Sequence, residues 1–268
     1  TAYIEPQRYN YALMLQNTNT YEMYRISNRL HQTVQLSPRM GWRVGPYFGW
    51  RWIFLGYTID VTHLKNDNKR KEFDLSLYSN QLGIDLFYRT TGDDYHIQRF
   101  TAATASNIDF APLHGLNYDG LEANIRGFNL YYITNHKRFS YPAAYSQSTR
   151  QLQSTGSPIL GIGYMHQKLD MDWVTLQDII AQRMGKTVLK EVLGSDSAGW
   201  SKTHVKYDNF SVSGGYAYNW VFAKNFLLNV SLSASLAYLH TISKTAQTPN
   251  SQFDNFNFNQ FTIDGIAR

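Results

Sequence analysis

The chain of 268 residues contains no cysteine, which excludes a disulfide scaffold, a thiolate metal site and an acyl anchor of the lipoprotein kind. Charge is also scarce, at 17% of residues. The excess of 25 Lys+Arg over 20 Asp+Glu is spread along the chain, and only Lys69-Arg70-Lys71 forms a run. With no basic stripe and no RNA-binding signature, no nucleic-acid partner is expected despite a pI near 9.2. No window approaches ~18 consecutive apolar residues, so a membrane-spanning helix is excluded. Thr1-Ala2-Tyr3 shows no basic region leading into an apolar core, so an exported chain would already have lost its signal peptide.

Aromatics, by contrast, are abundant. Twenty Tyr, 15 Phe and 6 Trp stand beside 18 Gly, a composition that favours pleated strands with Gly at turns and close approaches. The patterning agrees. From Gln32 to Trp50 the even positions are apolar (Val34, Leu36, Met40, Trp42, Val44, Phe48) and the odd ones polar or small (Thr33, Gln35, Arg39, Gly41, Arg43, Gly45). The phase then flips to Ile53, Leu55, Tyr57, Ile59 and Val61, which places a tight turn near Gly49-Trp50. Phe210 to Trp220 and Phe226 to Tyr238 repeat the alternation around a connection at Val221 to Asn225. Between Phe73 and Tyr88 the phase changes near Tyr78 to Gln81, which suggests a bulge. Tyr9 to Ser27, Tyr95 to Thr101, Leu121 to Ile133, Pro158 to Trp173 and Phe253 to Ile266 complete about ten strand candidates.

Alternating runs of about 13 to 19 residues exceed the usual five or six of a soluble strand and suit a tilted strand crossing a bilayer. Long polar segments, His63 to Lys71 and Thr241 to Ser251, contrast with the short turns, as external loops contrast with periplasmic turns in outer-membrane barrels. One helix is expected between Thr175 and Leu193, opening on a capping-box-like Thr175-Leu176-Gln177-Asp178 and ending at Gly194.

At Leu36-Ser37-Pro38 and Gly45-Pro46-Tyr47-Phe48-Gly49-Trp50-Arg51-Trp52-Ile53-Phe54-Leu55-Gly56-Tyr57 the chain resembles an uncharacterised Bacteroidetes family, a domain of unknown function expected to be an outer-membrane barrel. Similar segments occur at Tyr9 to Tyr21, Asp74 to Ser79, Phe139 to Ala144 and Gly215 to Trp220, so the resemblance covers most of the chain. It implies location and architecture, and transfers no activity. It also implies further strands and a terminal aromatic residue, whereas this chain stops at Ile266-Ala267-Arg268. About two C-terminal strands are therefore expected beyond it, giving ~12 in an intact barrel.

Catalytic chemistry finds little support. Gly194-Ser195-Asp196-Ser197-Ala198-Gly199 resembles a serine-protease nucleophile segment but lacks the Gly-rich continuation that supplies oxyanion donors, and reads better as a polar turn. The His residues at 31, 63, 96, 114, 136, 166, 204 and 240 include no pair at helical metal-site spacing. A lipid hydrolase could still pair a Ser and a His on adjacent strands at a barrel rim. Gly161-Ile162-Gly163 reads as close strand packing rather than a phosphate loop.

A turn at Gly49-Trp50 would pair Arg39 with Asp60 and Gly41 with Thr58 on the inward face, with Arg43, Asp85 and Arg89 in the same phase. Opposed charges there could line a pore or bond one another and close it. Tyr47, Trp50, Trp52, Tyr57, Tyr216, Tyr218, Trp220 and Tyr238 fall near strand ends, where an aromatic girdle would meet the headgroups. In a soluble sandwich the same residues would pack a core.

The expectation is an all-β chain: one transmembrane antiparallel β-barrel of about 10 to 12 strands over residues 1–268, in the bacterial outer membrane. No cofactor, metal site or enzymatic activity is expected. Its partners would be outer-membrane lipid and other outer-membrane or periplasmic proteins. A structural or accessory subunit of an envelope complex fits best, ahead of a small pore or ligand-uptake barrel and of a lipid hydrolase.

Overall fold

The computed structural model describes residues 2–6, 11–17, 23–27, 31–38, 42–50, 53–60, 71–91, 95–193, 202–223, 226–242 and 260–267, with the backbone alone at residues 16, 43, 58–60, 71, 223, 260 and 266. The strands are β1 (Ile4–Pro6), β2 (Tyr11–Asn17), β3 (Tyr24–Ser27), β4 (Thr33–Pro38), β5 (Arg43–Trp50), β6 (Ile53–Asp60), β7 (Lys71–Tyr78), β8 (Leu82–Thr90), β9 (Tyr95–Thr101) and β10 (Leu121–Ile133). Then follow α1 (Tyr141–Tyr145), β11 (Thr149–Gln151), β12 (Thr155–Asp172), α2 (Trp173–Met184), α3 (Lys186–Leu193), β13 (Lys202–Ala223), β14 (Phe226–Thr241) and β15 (Gln260–Ala267).

Ten strands make one sheet in the order β15-β14-β13-β12-β10-β8-β7-β6-β5-β2, and every neighbour is antiparallel. Among the described residues β2 and β15 are its two edges. A smaller sheet joins β3, β4 and β9, and β1 pairs with β11.

Several expected elements are redrawn. The single run from Gln32 to Trp50 divides between β4 in the small sheet and β5 in the large one, and Tyr9 to Ser27 divides likewise between β2 and β3. Alternation reports which face of a strand is apolar, not which sheet the strand joins, so the switch leaves no mark on it. Trp50 pairs with Ile53, so Gly49-Trp50 lies within the strand rather than at the turn, and Arg43, not Arg39, stands opposite Asp60. The phase change after Tyr78 is a hairpin turn and not a bulge: the Ser79 amide donates to the Leu82 carbonyl at 2.8 Å, and the Ser79 hydroxyl accepts from the Leu82 amide at 2.9 Å. β13 and β14 run on to Ala223 and from Phe226, so only residues 224–225 link them.

The expected helix is two helices. Asp172 caps the first, its carboxylate accepting from the Val174 amide at 3.1 Å, so the helix starts ahead of Thr175. Gly185, at φ 96°, ends it in a backbone conformation that side-chain-bearing residues rarely adopt. α3 restarts directly after.

Two clusters pack against one face of the large sheet, here called the inner face. The larger is a cap in which β3, β4, β9, α2 and α3 close over the ends of β10, β12 and β13, around Leu36, Tyr95, Ile97, Leu121, Leu176 and Val205. Trp173 is buried there with its indole N–H donating to the Thr203 hydroxyl at 3.0 Å. The Tyr118 hydroxyl donates to the Asp172 carbonyl at 2.7 Å, and burial, helped by the Asp172 charge, pushes its ionisation far above the usual phenol range. The smaller cluster holds Tyr47, Phe54, Tyr78, Ile133, Phe139, Tyr141 and Ala217.

Leu176 is fully buried in the cap, so Leu176→Ala should cost about 2–5 kcal/mol. Hydrogen exchange should speed up in α2, α3 and β9 while β13 and β14 beyond Phe210 keep their protection. Uniform acceleration along both strands would show that cap and sheet are one cooperative unit.

Candidate functional site

The inner face of β7 carries Glu72, Asp74, Ser76 and Tyr78, and that of β8 carries Asp85, Phe87 and Arg89. Both sets follow from alternation against Phe73, Leu75 and Leu77 and against Leu82, Leu86 and Tyr88 on the outer face. One oxygen of Asp85 accepts from the Ser76 hydroxyl at 2.8 Å and from the Tyr78 hydroxyl at 2.5 Å. Arg89 lies 3.8 Å from Asp74, and its guanidinium sits 5.5 Å from the centre of the Phe87 ring. These groups border a cleft of about 410 Å³ that Tyr47, Asn129, Tyr131 and Tyr145 also line.

Of the inward charges read from the sequence, the structure thus brings Asp85 and Arg89 to one cleft. The register pairs Arg43 with Asp60, whose side chains lie outside the description, and Arg39 lies outside the described residues. Asp74 was missed, although its place between Phe73 and Leu75 in the inward phase marked it.

A second feature had no periodic signal. The segment joining β10 to β12 folds back over the inner face and plugs it. Ser140 caps α1, its hydroxyl accepting from the Ala143 amide at 3.2 Å, and Pro142 sits in the first turn. Tyr141 packs on Tyr145 at 4.3 Å and on Tyr78 at 5.3 Å between ring centres. The Tyr145 hydroxyl donates to Asn229 of β14 at 3.0 Å. Asn219 of β13 donates to the Ser140 carbonyl at 2.9 Å, and Gln151 donates to the Arg138 carbonyl at 2.7 Å while accepting from the Ser140 amide at 2.8 Å. The plug is therefore bonded to two wall strands through buried polar groups.

Opposite the plug the wall is Ser and Gly: Gly161, Gly163, Ser211, Ser213, Ser233 and Ser235. A Cβ at Gly161 would lie 2.3 Å from the Ser213 hydroxyl, and one at Gly163 would lie 2.5 Å from that of Ser211. The expected close packing at Gly161-Ile162-Gly163 holds on that geometry.

The outer face is apolar and exposed. Trp50, Tyr57, Tyr216, Tyr218, Trp220 and Tyr238 all stand on it. Tyr47 does not: it is buried on the inner face, stacked on Phe54 at 5.9 Å, because it alternates with the outward Phe48. Trp52 lies outside the described residues.

For catalysis, the His166 ring bonds the Asp208 carboxylate at 2.9 Å on the outer face, half of a hydrolase arrangement. The outward positions around it hold Arg126, Tyr164, Lys168 and Asp208, with no serine. The segment from Gly194 to Gly199 and His63 lie outside the described residues. Among the described residues no group of three or more His, Asp or Glu could hold a metal ion.

Tyr78→Phe removes one of the two hydroxyl donors to Asp85 and should destabilise the protein by about 1.5–3 kcal/mol in denaturant titrations. Tyr132→Phe, on the exposed outer face, should change stability by less than about 0.5 kcal/mol. Equal effects would remove Asp85 as a structural centre of the cleft.

A family model described as Domain of unknown function (DUF4421) matches residues 1–268. No curated protein and no solved structure matches the chain.

Proposed function

We propose that the chain, which belongs to the family described as Domain of unknown function (DUF4421), is a non-catalytic outer-membrane β-barrel acting as a structural or accessory subunit of a larger envelope complex. The carrying observation is a pair of hydrogen-bonded rows on the outer face. One runs Tyr11, Trp50, Ile53, Leu77, Ile84, Leu130, Ile162, Val212, Leu236, Ile263. The next runs Leu13, Phe48, Leu55, Leu75, Leu86, Phe128, Tyr164, Phe210, Tyr238, Phe261. Every one of the ten strands contributes an apolar side chain to both rows. Water-facing sheets do not sustain such a surface, whereas a lipid-facing sheet requires it.

The long strands support the same reading by inverting their pattern part-way. On β13 the outward residues from Phe210 to Trp220 are Phe210, Val212, Gly214, Tyr216, Tyr218 and Trp220, over an inner face of Ser, Gly, Ala and Asn. Towards Lys202 the outward residues become His204, Lys206 and Asp208, and the inner ones the buried Thr203 and Val205. β12 inverts at the matching level. Ten residues of strand rise about 33 Å, or about 25 Å along the normal at a tilt near 40°, the height of a lipid-facing belt. An even strand number leaves β2 and β15 antiparallel, the orientation that closure of the sheet, directly or through further strands, calls for.

The plug supports the subunit reading over the pore. Tyr141, Tyr145 and the buried Asn219–Gln151 bonds fill the interior near the short turns, and the cap covers the other end. An interior occupied at both ends favours contacts made by the cap and loops over conduction. The cleft beside Asp85 favours ligand uptake as the second reading.

Leu232 is 67% exposed at mid-belt. In a water-soluble protein Leu232→Lys should be neutral, whereas facing lipid it should cost about 2–4 kcal/mol and lower the yield of the heat-modifiable folded form in detergent. The inward Ser235→Lys should be tolerated better. Extraction from outer membranes in mild detergent should bring down stoichiometric partner proteins, and planar bilayers should show no steady conductance until residues 138–152 are replaced by a Gly-Ser linker. A lone barrel that conducts without that replacement would make it a pore.

A further inference from the structure

From β10 to β14 the apolar rows end abruptly. The next row on the outer face reads Tyr57, Phe73, Tyr88, Arg126, His166, Asp208, His240, aromatic as far as β8 and polar or charged from β10 on, and beyond it Lys168 is the direct cross-strand partner of Lys206. Charged groups therefore begin one row past the aromatic Phe128, Tyr164, Phe210 and Tyr238. In the membrane reading, on which this inference rests, that is the depth of the headgroups.

The charges there are layered. Asp208 accepts from the Tyr164 hydroxyl and from His166, each at 2.9 Å, and Asp170 bonds both Lys168 and His204. Both carboxylates are recessed, at 19% exposure for Asp170 and 18% for Asp208, against 43% for Lys168 and 60% for His204. Asp170 holds Lys168 and His204 from beneath, and the basic side chains reach outward. Arg126 and Lys206 are exposed. Glu122 is an exposed acid of this surface, and it stands two rows beyond Arg126 along β10.

Directly opposed lysines repel unless an anion lies between them. β10 and β13 are two strand spacings apart, about 10 Å, a span that an Arg and a Lys side chain can bridge around one phosphate. Arg offers a planar fork to phosphate oxygens and Lys a point charge. We propose that Arg126, Lys168 and Lys206 form a site for the phosphate of a net anionic lipid headgroup in the leaflet that this end of the sheet enters.

The test uses the full chain reconstituted into phosphatidylcholine vesicles with and without phosphatidylglycerol, and spin-labelled versions of both lipids to read which one is held at the protein surface. At low salt the protein should prefer phosphatidylglycerol several-fold. Arg126→Gln with Lys206→Gln should bring that preference down to about one, with insertion unchanged by heat-modifiable mobility. Glu122→Gln should leave the preference intact or raise it. Equal association of the two lipids with inserted wild-type protein overturns the site. Millimolar inorganic phosphate that abolishes the preference also overturns it, by making free phosphate the ligand. A chain that inserts into neither vesicle overturns the barrel reading and the headgroup site with it.

Discussion

The structure depends on the unbroken backbone ladder of ten antiparallel strands. Each row of that ladder fixes which side chains stand side by side, and because pleating alternates faces, a single register decides both surfaces at once. A slip of one residue on β13 would bring Ser211 and Ser213 outward among Ile162, Leu236 and Ile263, and drive Phe210 and Val212 against the plug. The register is thus pinned from both sides: by the apolar belt outside, and by Gly161 and Gly163 within, whose missing Cβ atoms make room for the Ser213 and Ser211 hydroxyls.

Strand length lets one ladder carry two opposite patterns. β12 and β13 have 18 and 22 residues, more than the apolar outer rows span, and their remaining ends supply the floor of the cap. There Leu169, Met171 and Val205 face Trp173, Leu176 and Ile180, an ordinary buried core. On the opposite face Lys168 pairs with Asp170 and Lys202 with Asp172, where the belt carried Ile162 and Val212. The hydrophobic effect operates in both halves with opposite sign relative to the sheet: apolar groups gather inward under the cap and outward along the belt. Continuous strands carry the cap rigidly on the sheet, so contacts made by the cap would be transmitted through backbone hydrogen bonds rather than through a hinge.

Legibility followed the physics of period two. The antiparallel class, the bounds of β9 and β10 and the outward aromatics of β13 and β14 were readable because alternation is a local property of the chain. Sheet membership was not, because Val34 and Leu36 alternate as cleanly in the cap as Phe48 and Trp50 do on the belt. The pairing of Arg43 with Asp60 was missed because register depends on the turn, and Gly49-Trp50 resembled a turn although it lies within the strand. Asp74 stood in plain view among Phe73, Leu75 and Leu77. The plug carried a quieter mark, Ser140 as cap with Pro142 in the first turn, which announces a helix without saying that it enters the sheet's inner face.

The plug also bears on what the inner face can do. A water-filled lumen would leave the carboxamides of Asn219, Gln151 and Asn229 solvated, with no need for them to find one another. Instead Asn219 donates to the Ser140 carbonyl and accepts from Asn229 at 2.7 Å, and Gln151 spends both ends of its amide on the plug backbone. Buried amides satisfied in this way are costly to expose, since each lost partner strands a polar group in a dry site. Opening the interior would require breaking the set together. The cleft beside Asp85 meets the plug at Tyr145, whose hydroxyl is held by Asn229, so one of its sides belongs to this bonded set.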